Sequence, residues 1–197
     1  MIFESNELFI ATLALIVSIV SAFKNQIFPF QLETLTDSII LAAPSAPSHD
    51  SLALIIPIIF LNKGHGSGVI EGLTIKIECC NGTKIYTPRL EIDYKKFIQS
   101  KRRLHAENTL SNFISFPLSG LSSVQKYILF AQNENSQKYP FSHWQENNYT
   151  FNFYIKHSHK DFPILYSSFD KFISTKTLDD YKTGNSVVIE PNQELDI

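Results

Sequence analysis

His157 and His159 stand two residues apart in YTFNFYIKHSH, a run that alternates as a strand does. Both rings would leave the same strand face, at a spacing that suits two ligands of a zinc-type ion. Such an ion needs a third protein ligand. None follows in sequence, and His49, His65, His105 and His143 are scattered. No metal is expected, and the pair reads as surface histidines. The glycines of Asn62–Gly68, NKGHGSG, invite comparison with a phosphate loop. That device requires a helix whose N-terminal amides face the anion, normally with Gly-Lys-Ser/Thr. A strand-like segment follows instead, so Gly64, Gly66 and Gly68 are read as a strand connection.

Nucleophile signatures are missing. There is no G-x-S-x-G turn, and Cys79-Cys80 ends a strand beside no evident base. Neighbouring residues on a strand point to opposite faces, so these two cysteines are not expected to bond to each other. Asp179-Asp180 lies in a polar tail, and Asp161 and Asp170 flank a short strand. No catalytic set, no cofactor and no enzyme activity are expected. The remaining charged feature is Lys95, Lys96, Lys101, Arg102 and Arg103 within residues 94–105, a short helix or ordered loop. These five are the candidate ligand-binding residues. Near anionic headgroups each such charge contributes about 1 kcal/mol, and nucleotide phosphates offer similar chemistry. A solvated loop is the simpler reading of the same cluster.

The elements that would position these residues follow from composition and pattern. The chain has 197 residues, 44% apolar and 18% charged, which excludes a disordered chain and fits one domain. A net charge of −2 gives no basic balance for nucleic acid, and none is expected as a partner. Sixteen Phe and eight Tyr against seven Gly favour strands. Val69–Glu78 alternates, with Val69, Glu71, Leu73, Ile75 and Ile77 on one face. Asn81-Gly82 signals a hairpin, and Tyr149, Phe151, Phe153 and Ile155 share a face in a later strand. Leu52–Leu61 is a continuous apolar run, too short to span a bilayer, whose Pro57 belongs at an edge or bulge. About eight short strands without crossover helices predict an all-β domain, an antiparallel immunoglobulin-like β-sandwich.

Leu8–Phe23, LFIATLALIVSIVSAF, carries no charge. As a helix of sixteen residues it reaches about 24 Å, slightly short of a hydrocarbon core of about 30 Å. Lys24 can snorkel to the interface and local thinning can close the gap. A single N-terminal transmembrane helix is expected, with the lipid bilayer as its partner. A signal peptide cleaved after Ala22, leaving a secreted or periplasmic domain, is the competitor. It wants a positive n-region, whereas residues 1–7 carry only Glu4 and Glu7. Lys24 after the helix places the following domain in the cytoplasm. The expected division is 1–24 anchor, 25–37 juxtamembrane linker, 38–175 β-sandwich and 176–197 fraying polar tail.

The run LALIIPIIFLNKGHGSGVIEGLTIKI, with FPLSGLSSVQKYILF after it, resembles a pattern found in uncharacterised small bacterial membrane proteins. Asn62, Gly64, Gly68 and Val69 carry that resemblance, together with Ser119-Gly120 before a strand ending at Phe130. It covers residues 8–131 loosely. It implies an apolar N-terminal helix before a β-sandwich, a bacterial origin and a membrane address, and it implies no activity. The expected function is a single-pass, non-catalytic interaction or adaptor module with an unknown protein partner. A sensor binding an anionic small molecule through residues 95–103 is the alternative.

Overall fold

Alternation of apolar and polar residues dominates the chain after residue 31, and the fold follows it. A computed structural model describes residues 2–36, 38–42, 53–80, 82–101, 104–132, 144–183 and 186–189. Helix α1 covers Ile2–Ile27. Eleven strands follow: β1 Leu32–Leu35, β2 Ile39–Ala42, β3 Ala53–Asn62, β4 Gly68–Cys79, β5 Gly82–Ile92, β6 Thr109–Asn112, β7 Phe116–Leu118, β8 Ser123–Gln132, β9 Asn147–His157, β10 Ile164–Ile173 and β11 Val187–Ile189. Two short helices interrupt them, α2 at Tyr94–Gln99 and α3 at Thr175–Lys182.

All eleven strands join one antiparallel sheet, in the order β10-β9-β4-β5-β8-β3-β2-β11. Strands β1, β6 and β7 add to β3, β5 and β4. Because β1 also touches β10, the sheet curls until it nearly closes. The all-β, antiparallel expectation holds. The strands form one hydrogen-bonded sheet, a barrel-like layer wrapped round its own core rather than two sheets of unconnected edges. The strand count exceeds the eight expected by β1, β6 and β11, which are only three or four residues long.

The wrapped core takes Ile56, Ile58 and Phe60 from β3, Ile75 and Ile77 from β4, and Phe130 from β8. Strand β9 contributes Tyr149, Phe151, Phe153 and Ile155, the face expected from their alternation. On the opposite face of β2, β3 and β8, a smaller cluster of Ile40, Ile55 and Leu129 is covered by Phe97 of α2. Asp93 caps α2, its side chain accepting from the Lys96 amide at 3.1 Å.

Five sequence expectations are corrected. In β4 a bulge between Ile70 and Gly72 shifts the register against β9, so Ile70 is buried while Val69 and Glu71 face out. In the β4–β5 hairpin Gly82, at φ 139°, already pairs with Cys79, one residue earlier than the dipeptide signal implies. The segment expected to be a linker contains β1, paired with β3. The expected fraying tail contains α3 and β11, and β11 pairs with β2. Pro57, expected at an edge or bulge, lies within the internal strand β3, in register with Tyr127 of β8; on the other side it falls between Ile55, which pairs with β2, and Ile59, which pairs with β1. At that gap its missing N–H breaks neither ladder.

Among the described residues, no helix is long and apolar enough to cross a membrane. The described side chains of α1 begin at Phe9, and sixteen residues to Lys24 do not make a full span.

Candidate functional site

One end of the barrel is built around the chain leaving α1. Residues 28–31 form a strap that crosses the Asn62–Gly68 loop, and the β7–β8 turn meets that loop in turn, the Leu121 amide donating to the Gly64 carbonyl. The Phe28 carbonyl accepts from the amides of His65 (2.8 Å) and Gly66 (3.1 Å), and the Gln31 carbonyl accepts from the Lys63 amide at 2.9 Å. The glycines are there because the strap lies on top of them. A Cβ on Gly64 would stand 1.6 Å from the Pro29 carbonyl oxygen, and one on Gly68 would enter the Phe30 ring at 2.5 Å. On the neighbouring turn a Cβ on Gly120 would meet the His65 oxygen at 2.0 Å. The loop is therefore a bed for the strap, Gly64 and Gly66 lying under its backbone and Gly68 under the Phe30 ring.

Asn62 is the centre of this end, at the last position of β3 and buried. Its Oδ1 accepts from the amides of Gln31 (3.1 Å) and Gly64 (3.0 Å). Its Nδ2 donates to the carbonyls of Gly66 (2.7 Å) and Ser119 (2.9 Å). One side chain thus satisfies backbone groups from the strap, the glycine loop and the β7–β8 turn. An amide side chain can do this because it offers two donors and a two-lone-pair acceptor.

The two histidines singled out by their spacing come together here, and His157, expected at the surface, is buried. Phe30 lies against both, with ring centroids 5.1 Å from His157 and 5.2 Å from His159, the latter stacked. His159 Nε2 lies 3.0 Å from the Ser67 carbonyl, so it donates there. His157 Nδ1 accepts from the His159 amide at 3.3 Å, which requires that nitrogen to be unprotonated. Burial lowers the His157 pKa below the usual histidine value; His159 and Lys160 push it the same way, against Glu71. Among the described residues no group of three His, Cys, Asp or Glu is placed to hold a metal ion. His65, which spacing did not single out, packs its ring on Phe28 at 5.2 Å, with its Nδ1 buried and without a hydrogen-bond partner.

The opposite end holds residues that pattern reasoning passed over. Lys84 and Tyr86 point inward from β5 and are fully buried. Lys84 Nζ sits 5.9 Å from the Trp144 ring centroid, within cation–π range, and Trp144 packs on Tyr149 at 4.7 Å. Burial raises the Tyr86 hydroxyl well above the ordinary tyrosine pKa. Lys84 and Tyr86 fall on the apolar face of an alternating strand, and that alternation was the available signal. A cavity lined by Thr34, Ile58, Leu73, Phe130 and Phe153 measures about 10 Å³, room for about one water and far below any organic ligand.

The basic candidates lie elsewhere again. Lys95 and Lys96 are exposed on α2, and Lys101 follows it at φ 58°. Arg102 and Arg103 lie outside the described residues. Lys96 Nζ stands 4.0 Å from Asp93. Tyr94 stacks on Tyr127 halfway along β8, and Phe97 reaches Leu129 further on, so α2 runs away from the strap end. Comparison with protein families, with curated proteins and with solved structures returns no match.

Proposed function

We propose that this chain is a non-catalytic module held at a bilayer by α1, with its β domain presented on the cytoplasmic side to a protein partner. One observation carries the reading. From Phe9 to Phe23, nine large apolar side chains are 44–68% exposed over about two thirds of the helix circumference, and the remaining face carries only Ala11, Ala14, Ser18, Ser21 and Ala22, with no charge. A helix apolar all round belongs in a core or a membrane, and the barrel does not cover this one. The charge-free stretch Leu8–Phe23 is about 6 Å shorter than a typical hydrocarbon core, a mismatch met by local thinning and by Lys24 reaching to the headgroups. Lys24, in the last turn of α1, favours the cytoplasmic side for the domain after it. Free Cys79 and Cys80 suit a reducing compartment. The likeness to small bacterial membrane proteins at Asn62, Gly64, Gly68 and Val69 belongs to the same reading. Side chains fill the barrel interior, which favours presenting an outer surface over enclosing a substrate.

Fractionation of cells expressing the full chain tests the anchor. The protein is expected in membranes after a high-salt wash, and recovery of the full-length chain in the soluble fraction would refute the reading. Three exposed lysines on and after α2 favour a second reading, a sensor for an anionic small molecule. Replacing Lys101, Arg102 and Arg103 with Ala would then abolish stabilisation by nucleotide; unchanged stabilisation ends that idea.

A further inference from the structure

A group of large exposed apolar side chains stands at one end of the barrel. Ile27 and Phe28 at the close of α1, Val69 at the start of β4, Leu121 in the β7–β8 turn and Phe162 in the β9–β10 turn all stand at the strap end. Others lie elsewhere, among them Ile98, Phe172 and, on and just after β6, Leu110 and Ile114. Hydrogen bonds join these tips into one surface. The Leu121 amide donates to the Gly64 carbonyl at 2.8 Å, and the Val69 amide donates to Ser158 Oγ at 3.0 Å. Phe162 is 79% exposed and Leu121 63%. Leu121 is also held at φ 51°, a left-handed conformation in which its Cβ crowds the following carbonyl. Water offers an exposed leucine nothing in return for that strain.

We infer that this end of the barrel rests on the lipid surface, with Phe28, Leu121 and Phe162 reaching the boundary between headgroups and acyl chains. The inference rests on the reading of α1 as inserted in a bilayer. Lipid is the occupant because the connection has no slack. The Phe28 amide donates to the Lys24 carbonyl at 2.8 Å, so the helix continues to the strap. Four residues of helix place Phe28 about 6 Å from Lys24. The headgroup layer on each side is itself roughly 5–8 Å thick. With Lys24 at the interface, Phe28 and the loops bonded to it have no distance over which to stand clear of the membrane. Lys63 and Lys160 stand on the same end with Lys24; Glu33 pairs with Lys63, and Asp161 follows Lys160. That leaves one positive charge in excess, compatible with anionic headgroups.

The test uses the full chain in nanodiscs of phosphatidylcholine and phosphatidylglycerol. Nitroxide labels are placed singly by Ile16→Cys, Leu121→Cys and Phe162→Cys in a Cys79→Ala, Cys80→Ser background, and on native Cys80 with Cys79→Ala alone. Cys80 lies at the far end of the barrel and is the aqueous control. Accessibility to oxygen is compared with accessibility to a water-soluble nickel chelate. The expected result favours oxygen at positions 16, 121 and 162 and nickel at Cys80. Each variant is first checked by its melting curve, and Phe162→Cys, the more exposed site, decides alone should Leu121→Cys not fold. Nickel-accessible labels at 121 and 162 with an oxygen-favouring label at 16 overturn this inference and leave the anchor standing. Exclusion of both reagents at 121 and 162 means that protein covers them, and overturns it too. A nickel-accessible label at 16 refutes the anchor and the inference together.

Discussion

Asn62 joins three separate backbone segments through four hydrogen bonds, and its replacement tests how much that end of the barrel depends on it. Each bond contributes about 1 kcal/mol net, and a buried carbonyl or amide left unpaired costs more than a bond never formed. Asn62→Ala is therefore expected to lower stability by about 3 kcal/mol, measured by urea denaturation. A change under about 1 kcal/mol would show that water replaces the amide without loss. Gly64→Ala asks a different question, because its Cβ collides with the Pro29 carbonyl and not with a movable side-chain tip. It is expected to lift the strap and to speed amide exchange at His65 and Gly66 by at least tenfold, with the exchange of β9 unchanged. Equal acceleration throughout would mean global destabilisation. His157 sets a pH dependence. Its folded pKa lies below the usual histidine value of about 6.5, so both states are neutral above that value and stability is complete there. As pH falls from 6.5 towards the lower folded pKa, the unfolded chain takes up a proton that the folded one does not, and stability is lost. Denaturation midpoints from pH 8 to 5 should fall, and His157→Gln should flatten the fall. A slope unchanged by that substitution would assign it to other groups.

At the scale of elements, the long strands are legible in the chain and the short ones are not. Tyr149, Phe151, Phe153 and Ile155 declare their common face, since two-residue alternation is a local property of the backbone. In β4 the same rule misplaces Val69 and Glu71, because one extra residue at the bulge before Gly72 inverts the faces on either side of it. Strands of three or four residues such as β1 and β11 carry too little pattern to be recognised, and their pairing with β3 and β2 is a long-range event. Helix α2 depends on one side chain, since Phe97 alone is its buried residue. Phe97→Ala is expected to cost about 3–4 kcal/mol and to detach α2 from Ile55 and Leu129. Denaturation measures the first effect and amide exchange of Phe97–Ser100 the second. A loss below about 1 kcal/mol would show that α2 is not needed to cover that face.

For the whole molecule, the sheet order puts partners far apart in sequence side by side: β4 with β9, and β3 with β8. Closing such loops before their contacts form makes folding slow, in the range of milliseconds to seconds. Stopped-flow refolding followed by the single tryptophan, Trp144, is expected in that range; a microsecond phase carrying the whole amplitude would contradict it. The chain alone announces an all-β domain, an apolar N-terminal helix and the unusual run Asn62–Gly68, because composition, alternation and charge-free length are properties of neighbouring residues. It does not announce that the glycines lie beneath the strap after α1, or that Phe30 rests between His157 and His159. Those residues are more than 120 positions apart at the widest. Only the near-closure of the sheet brings them to one end, where the strap lies too close to Gly64, Gly66 and Gly68 to leave room for a Cβ.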